Sequence, residues 1–151
     1  MNLVRLPLEF DECAVTEWTA TGITNSTYCA IPHGLTKRPD FIQIQRKIQQ
    51  PDITTTYYDN IQLNLWRMGY MPNGGSNISN IMFRHRSSDG WTYYRFAIDG
   101  SHHIYADNTN VYLYSTALAT YIPNGVDWVI TAWRRNYKYR GQYEYTTDPT
   151  V

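Results

Sequence analysis

The sequence is short of the features that define several classes of protein. Only 17% of its 151 residues are charged, against a usual ~25%, and 13 basic residues balance 13 acidic ones. A net charge of zero argues against nucleic-acid binding by bulk charge, because that needs an excess of cations to displace counterions. No apolar run approaches the ~18 residues of a membrane span, and the N-terminus lacks the apolar segment of a secretory signal. We expect one domain that inserts into no membrane and binds no nucleic acid.

Cysteine and catalytic motifs are equally scarce. Cys13 and Cys29 are the two cysteines. A chain without an export signal is expected to keep them as free thiols, with a bridge between neighbouring strands as the alternative. The sequence has no Gly-x-Ser-x-Gly elbow, no phosphate-binding glycine loop and no paired cysteines at zinc spacing. His102 and His103 are adjacent, so a strand turns them to opposite faces, although subunits of an oligomer can share a histidine site. We expect no catalytic site, no cofactor and no metal.

Alternation of apolar and polar residues is the dominant pattern. Period two with many β-branched and aromatic residues is typical of strands. Turn residues separate the segments, and Ser88-Asp89-Gly90 is the strongest hairpin signal. Residues 115–120 are compatible with a short helix, a turn or a short strand. The predicted strands lie in segments 13–21, 27–31, 40–48, 61–68, 78–86, 91–98, 102–106, 110–115 and 126–135.

Nine or ten short strands at such spacing predict an all-β fold, an antiparallel two-sheet sandwich of jelly-roll-like type. We divide the chain into an N-terminal arm (1–10), the sandwich (11–134) and a C-terminal arm (135–151) rich in Tyr and Arg. The aromatic residues expected in the core are Trp18, Phe41, Phe83, Phe96 and Trp128.

Aromatic residues are unusually frequent. The chain has 14 Tyr and 5 Trp, more than one small core uses, because each buried hydroxyl needs a partner. Some are expected to form ordinary cross-strand pairs. The rest suit a protein interface, or a platform on which sugar rings stack beside Asn and Asp in loops 57–60, 73–77 and 107–110. The candidate glycan-binding residues are Tyr57, Tyr58, Trp91, Tyr93 and Asn108.

The C-terminal arm is the candidate interface. Its tyrosines alternate with basic residues, so residues 135–147 are predicted to add a strand to a neighbouring subunit or another protein. A solvated, frayed end is the alternative. The interface candidates are Arg134, Arg135, Tyr137, Tyr139, Arg140, Tyr143 and Tyr145.

Two segments carry a resemblance to a known group of proteins. Residues 27–44 run from a strand through His-Gly-Leu and Pro-Asp into an alternating strand, and residues 125–133 form a late strand of sequence GVDWVITAW. Both stretches resemble structural proteins of tailed bacteriophages. In this pattern Gly34 is expected to take a positive φ, and Pro39 to fix the start of the next strand.

The resemblance implies an architecture and a set of roles. Similar β-sandwiches serve as tail-fibre tips, head fibres and capsid-decorating proteins, usually as trimers. It therefore implies a non-enzymatic virion protein, made in the host cytoplasm, that forms a homotrimer and docks on the capsid or the tail. A receptor-recognising tip that binds a cell-surface glycan is the alternative.

Overall fold

The chain folds into two antiparallel sheets, which confirms the all-β sandwich. The structure, a computed structural model, describes residues 11–48, 57–65, 81–87, 90–96 and 100–135. The predicted arms, apart from Arg135, lie outside these residues. The elements are β1 (Asp11–Thr19), β2 (Thr27–Pro32), β3 (Phe41–Arg46), β4 (Tyr57–Asn64), β5 (Ile81–Ser87), β6 (Gly90–Phe96), β7 (His102–Ala106), β8 (Asn110–Ser115), α1 (Leu118–Tyr121) and β9 (Asp127–Arg135).

The strand order follows from a nested pairing of the early strands with the late ones. Among the described strands, one sheet has the order β1-β9-β3-β4-β5-β6 and the other the order β2-β8-β7. The pair β1–β9 and the pair β2–β8 are nested, so the two ends of the chain cross from one sheet to the other together, as in jelly rolls. Strands β5 and β6 pair with Ser87 opposite Gly90, which confirms the predicted hairpin.

The core lies between the sheets and follows the period-two pattern. Phe83 and Trp128 are fully buried, as predicted. Trp18 is half-buried on β1 and packs against the core. The expectation for Phe41 is wrong, because alternation places it with Gln43 on the outer face, where its ring centroid lies 5.3 Å from that of Trp133. The side chain of Phe96 lies outside the described part of the structure.

Residues 115–120, for which the sequence left three alternatives, lead into a single helical turn. This helix, α1, packs against β4. Its last residue, Tyr121, is buried and stacks on Phe83 with ring centroids 4.1 Å apart. The short helix therefore covers the inner face of the six-stranded sheet beside the smaller sheet.

A buried histidine fixes the loop that carries the His-Gly-Leu motif. His33 Nδ1 accepts a hydrogen bond from the Leu35 backbone N–H at 3.1 Å, and Nε2 lies 3.0 Å from the Asp107 carbonyl oxygen. Because Nδ1 accepts, Nε2 carries the proton and donates to that carbonyl. Gly34 has φ +75°, which confirms the expected positive φ. The loop before β3 is thereby tied to the turn between β7 and β8.

The two cysteines are free thiols in different environments. Cys13 is exposed, whereas Cys29 is buried, and burial raises the pKa of its thiol to about 12. The thiolate is the reactive form, so only Cys13 is accessible to reagents in the folded protein.

We expect one thiol per chain to react with a thiol-specific chromogenic reagent at pH 8. Cys13→Ser should abolish this fast reaction and Cys29→Ser should leave it intact, while both thiols of the wild-type chain react in denaturant. The folded state disfavours the Cys29 thiolate, so the contribution of this group to the free energy of unfolding falls as the pH rises from about 9 to about 12. Rapid labelling of two thiols in the native protein would contradict this assignment.

Candidate functional site

The outer face of the three-stranded sheet carries a continuous group of aromatic rings. Alternation along β2, β7 and β8 turns the aliphatic residues inwards and the aromatic ones outwards. Tyr28 is opposite Tyr114, which is opposite His103, and Tyr112 is opposite Tyr105. We call these five residues the tyrosine face.

Ring contacts join all members of the tyrosine face. Tyr105 and Tyr112 stack with centroids 4.5 Å apart and planes at 15°. Tyr28 lies 5.2 Å from both Tyr105 and Tyr114, and Tyr114 lies 5.1 Å from His103. Tyr28 is 47% exposed. The result is a rigid aromatic surface with polar atoms at its rim, the composition that is enriched in binding sites.

One carboxylate borders the tyrosine face. The Tyr112 hydroxyl donates to Asp107 Oδ2 at 3.0 Å, while Asp107 Oδ1 accepts from the backbone N–H groups of Thr109 and Asn110 at 2.8 and 2.7 Å. These bonds, the one from Asn110 above all, lower the pKa of Asp107. A negative charge therefore stays at this turn across the neutral range, and it also orients the Tyr112 ring.

The tyrosine face was not predicted as a site. Its members come from three segments that are far apart in sequence, and only the strand pairing brings them together. The sequence nevertheless contains a signal: in the strand segments TYCAI, HHIYA and NVYLYS the tyrosines fall on one face of the strand, and the Ile, Leu and Val residues fall on the other.

A second exposed aromatic surface combines tyrosine and tryptophan with arginine. On the outer face of the β5–β6 hairpin, Trp91 is opposite Arg86 and Tyr93 is opposite Arg84. The guanidinium carbons of Arg84 and Arg86 lie 4.4 and 5.0 Å from the Trp91 ring centroid. Trp91 is 41% and Tyr93 is 53% exposed. We call these four residues the Arg–aromatic block.

A buried aspartate on β4 holds one arginine of the block. The β4–β5 register shifts between Tyr58 and Asn60, so Asp59 is the extra residue of a β-bulge. Arg84 donates from Nε to Asp59 Oδ1 at 2.8 Å and from Nη2 to Oδ2 at 2.6 Å. This bidentate pair is the main cause of the raised pKa of Arg84. The bulge thus positions Asp59 so that it holds Arg84 over the Trp91 ring.

The structure separates the five predicted glycan-binding residues. Trp91 and Tyr93 lie together in the Arg–aromatic block. Residues 57–60 are in β4, so the expected loop there is wrong, and Tyr57 is only 5% exposed and has no ring face for a sugar. Tyr58 is on the inner face, 4.8 Å from the ring of Tyr121. Asn108 lies in the β7–β8 turn, as expected, but its Oδ1 accepts from the Arg38 N–H at 3.1 Å.

The predicted loop 73–77 lies outside the described residues.

Most candidates in the C-terminal arm also lie outside the described residues. Two interface candidates are described, Arg134 and Arg135, and the structure corrects the assignment of Arg134 to an interface. Arg134 is 9% exposed and donates from Nη1 to the Arg38 carbonyl, because alternation along β9 puts it on the same face as Trp128 and Ile130. Arg135 ends β9. The residues Tyr137, Tyr139, Arg140, Tyr143 and Tyr145 remain predictions.

Other features of the described residues are structural. His102 is buried and its neighbour His103 lies on the outer face, so the two point apart as predicted. Over the described ranges, no three His, Cys, Asp or Glu side chains come together as a metal site. No helix in that part of the chain is long and apolar enough to span a bilayer.

An open polar depression of about 250 Å³ lies where β1 and β9 meet the end of β3. It is lined in part by Glu17, Lys47 and Asp127. Glu17 pairs with Lys47 at 3.0 Å, and Asp127 accepts a hydrogen bond from Thr19. Each carboxylate of the depression therefore has a structural partner.

Comparison of the chain with protein-family models, curated proteins and solved structures found no match. What the structure defines is a jelly-roll-like β-sandwich with two exposed aromatic surfaces.

Proposed function

We propose that the protein is a non-enzymatic structural component of a tailed-bacteriophage virion. In this proposal the β-sandwich forms a homotrimer by strand addition from residues 135–147, and it attaches to the capsid or the tail through its terminal arms. The resemblance of residues 27–44 and 125–133 to phage structural proteins supports the class.

One structural observation carries the attachment mechanism. Asp11, the first residue of β1, is the register partner of Arg135, the last residue of β9. Residues 1–10 and 136–151 therefore join the sandwich side by side, at one end of one strand pair. Two arms that start from neighbouring strand ends can engage the same neighbouring molecule.

The tyrosine face supports an assembly role as well. Tyrosine offers large contact area for little loss of side-chain entropy, and it is enriched at protein interfaces. The rings here already hold one another in place, so contact with a partner would order few further side chains. Such a surface suits docking on another virion protein.

The first test is the mass of the protein in solution, measured by light scattering. We expect the full chain to be a trimer and a chain ending at Arg135, which keeps β9 complete, to be a monomer with an unchanged far-ultraviolet circular dichroism spectrum. A full-length variant with Tyr137, Tyr139, Tyr143 and Tyr145 replaced by Ser should behave like the truncation. A trimer that survives both changes would contradict the role of the arm, and a monomeric wild-type chain would contradict self-association.

Carbohydrate recognition is the second candidate function. The observation that favours it is the exposure of Trp91 and Tyr93 on neighbouring positions of one face of β6. Flat exposed rings beside polar groups are the usual means by which proteins hold sugar rings, because the apolar face of the sugar covers the aromatic ring.

A further inference from the structure

We infer that the Arg–aromatic block binds a saccharide that carries a carboxylate group, with the sugar ring on Tyr93 and Trp91 and the carboxylate on Arg86. This inference rests on the second proposed function, carbohydrate recognition, and names the class of sugar and the residue that selects it.

The charges around the block leave one arginine without an anionic partner. Asp59 holds Arg84 through two hydrogen bonds, and these two opposite charges compensate each other. Arg86 contacts the Trp91 ring, and among the described residues no carboxylate pairs with it. The described side chains of the block and Asp59 thus carry one uncompensated positive charge.

The two exposed rings define where the sugar lies. Trp91 and Tyr93 are two residues apart on β6, so their side chains leave the same face about 6.6 Å from each other. Arg86 stands opposite Trp91 on the neighbouring strand. A pyranose ring on these aromatic side chains therefore has its substituents within reach of a guanidinium group.

The geometry of the arginine favours a carboxylate. Guanidinium is planar and presents parallel N–H groups that match the two oxygens of a carboxylate, as the Arg84–Asp59 pair already shows in this protein. A single uncompensated cation matches one acidic group on a sugar. A nucleic acid carries a charge at every phosphate and needs several cations, and the chain has a net charge of zero.

The direct experiment compares the binding of an acidic sugar with the binding of its uncharged methyl ester. We would titrate the full chain with trigalacturonate and with its methyl ester, and screen it against an array of sialylated, uronate-containing and neutral glycans. We expect tighter binding of the free acids, by about tenfold or more. Arg86→Gln should remove that preference, and Arg86→Lys, which keeps the charge, should restore part of it.

Two further variants separate charge from stacking. Lys47→Gln removes an exposed positive charge that lies just after β3, outside the block, and it should change no affinity by more than about twofold. Tyr93→Ala should weaken charged and neutral sugars alike, because it removes the ring and leaves Arg86 in place.

The outcomes distinguish this inference from the function on which it rests. Equal binding of acid and ester that is lost in Tyr93→Ala would overturn the carboxylate assignment and keep carbohydrate recognition. Binding to no glycan on the array would overturn both. Tighter binding of single-stranded oligodeoxythymidylate than of any glycan, sensitive to Arg86→Gln, would overturn both in favour of a nucleic-acid surface.

Discussion

Replacing Gly34 with alanine is expected to lower the free energy of unfolding by about 2–4 kcal/mol. Gly34 has φ +75°, a conformation that costs an L-residue about 1 kcal/mol or more. A Cβ atom there would lie 2.6 Å from Thr16 Oγ1 and 3.2 Å from Ala14 Cβ, so the loop and β1 would have to move apart. Overpacking of this kind typically costs about 1–3 kcal/mol. Urea unfolding of wild type and variant measures the difference.

Gly22→Ala is the matched control. Gly22 has φ +66°, but a Cβ atom at this position would meet no other atom within 4 Å, so this variant isolates the backbone cost and should lose only about 1 kcal/mol. Adding Thr16→Ala to Gly34→Ala should return part of the lost stability, because the hydroxyl is the nearest obstacle. Equal losses at Gly34 and Gly22 would show that the contact with β1 is unimportant.

Gly34 also shows how much of the fold the sequence alone predicts. The His-Gly-Leu motif predicted the positive φ, because glycine between two ordered segments is the residue that adopts it most easily. The contact with Thr16 was not predictable, since it depends on how β1 packs over a loop that follows β2. The backbone conformation of Gly34 was therefore predictable from the sequence, but its contact with Thr16 was not.

The strands were predictable because period two is a local property. The predicted start of β4 was wrong, because a bulge there breaks that period. The sequence Tyr57-Tyr58-Asp59-Asn60 looks like a polar loop, yet the bulge at Asp59 lets the strand continue while Asp59 reaches Arg84. A partly buried ion pair of this kind has no signature in spacing, since its partners are 25 positions apart.

The candidate site was predictable only in part, for a related reason. Trp91 and Tyr93, predicted as glycan-binding candidates, are exposed because both lie on one strand of a hairpin, where alternation decides the face; their binding of a glycan stays a prediction. The arginines beside them lie on the other strand of the same hairpin, so their place depends only on the register across its turn, whereas the tyrosine face depends on which distant strands pair. Pairing of β2 with β8 joins residues more than 80 positions apart at its outer end, Thr27 opposite Ser115, and no local pattern encodes it.

Phe83→Ala is expected to lower the free energy of unfolding by about 3–5 kcal/mol, the usual loss for a fully buried phenylalanine. The ring stacks on Tyr121 at 4.1 Å and meets Tyr58 edge-on at 5.9 Å, so it joins β5 to α1 and to β4. Its removal leaves a cavity that these larger rings cannot fill without leaving their own contacts. Chemical denaturation monitored by tyrosine and tryptophan fluorescence measures the loss.

Phe41→Ala deletes the same atoms from the other face of the same sheet and serves as the control. Phe41 is half-buried and packs mainly on Trp133, so water can occupy the space that its ring leaves. The loss there should stay near 1–2 kcal/mol, because little cavity is created. If the two variants were equally destabilised, the outer face of the six-stranded sheet would be as well packed as the core. A β-sandwich has one buried layer, between its two sheets, so the losses of stability in Phe83→Ala and Phe41→Ala must differ.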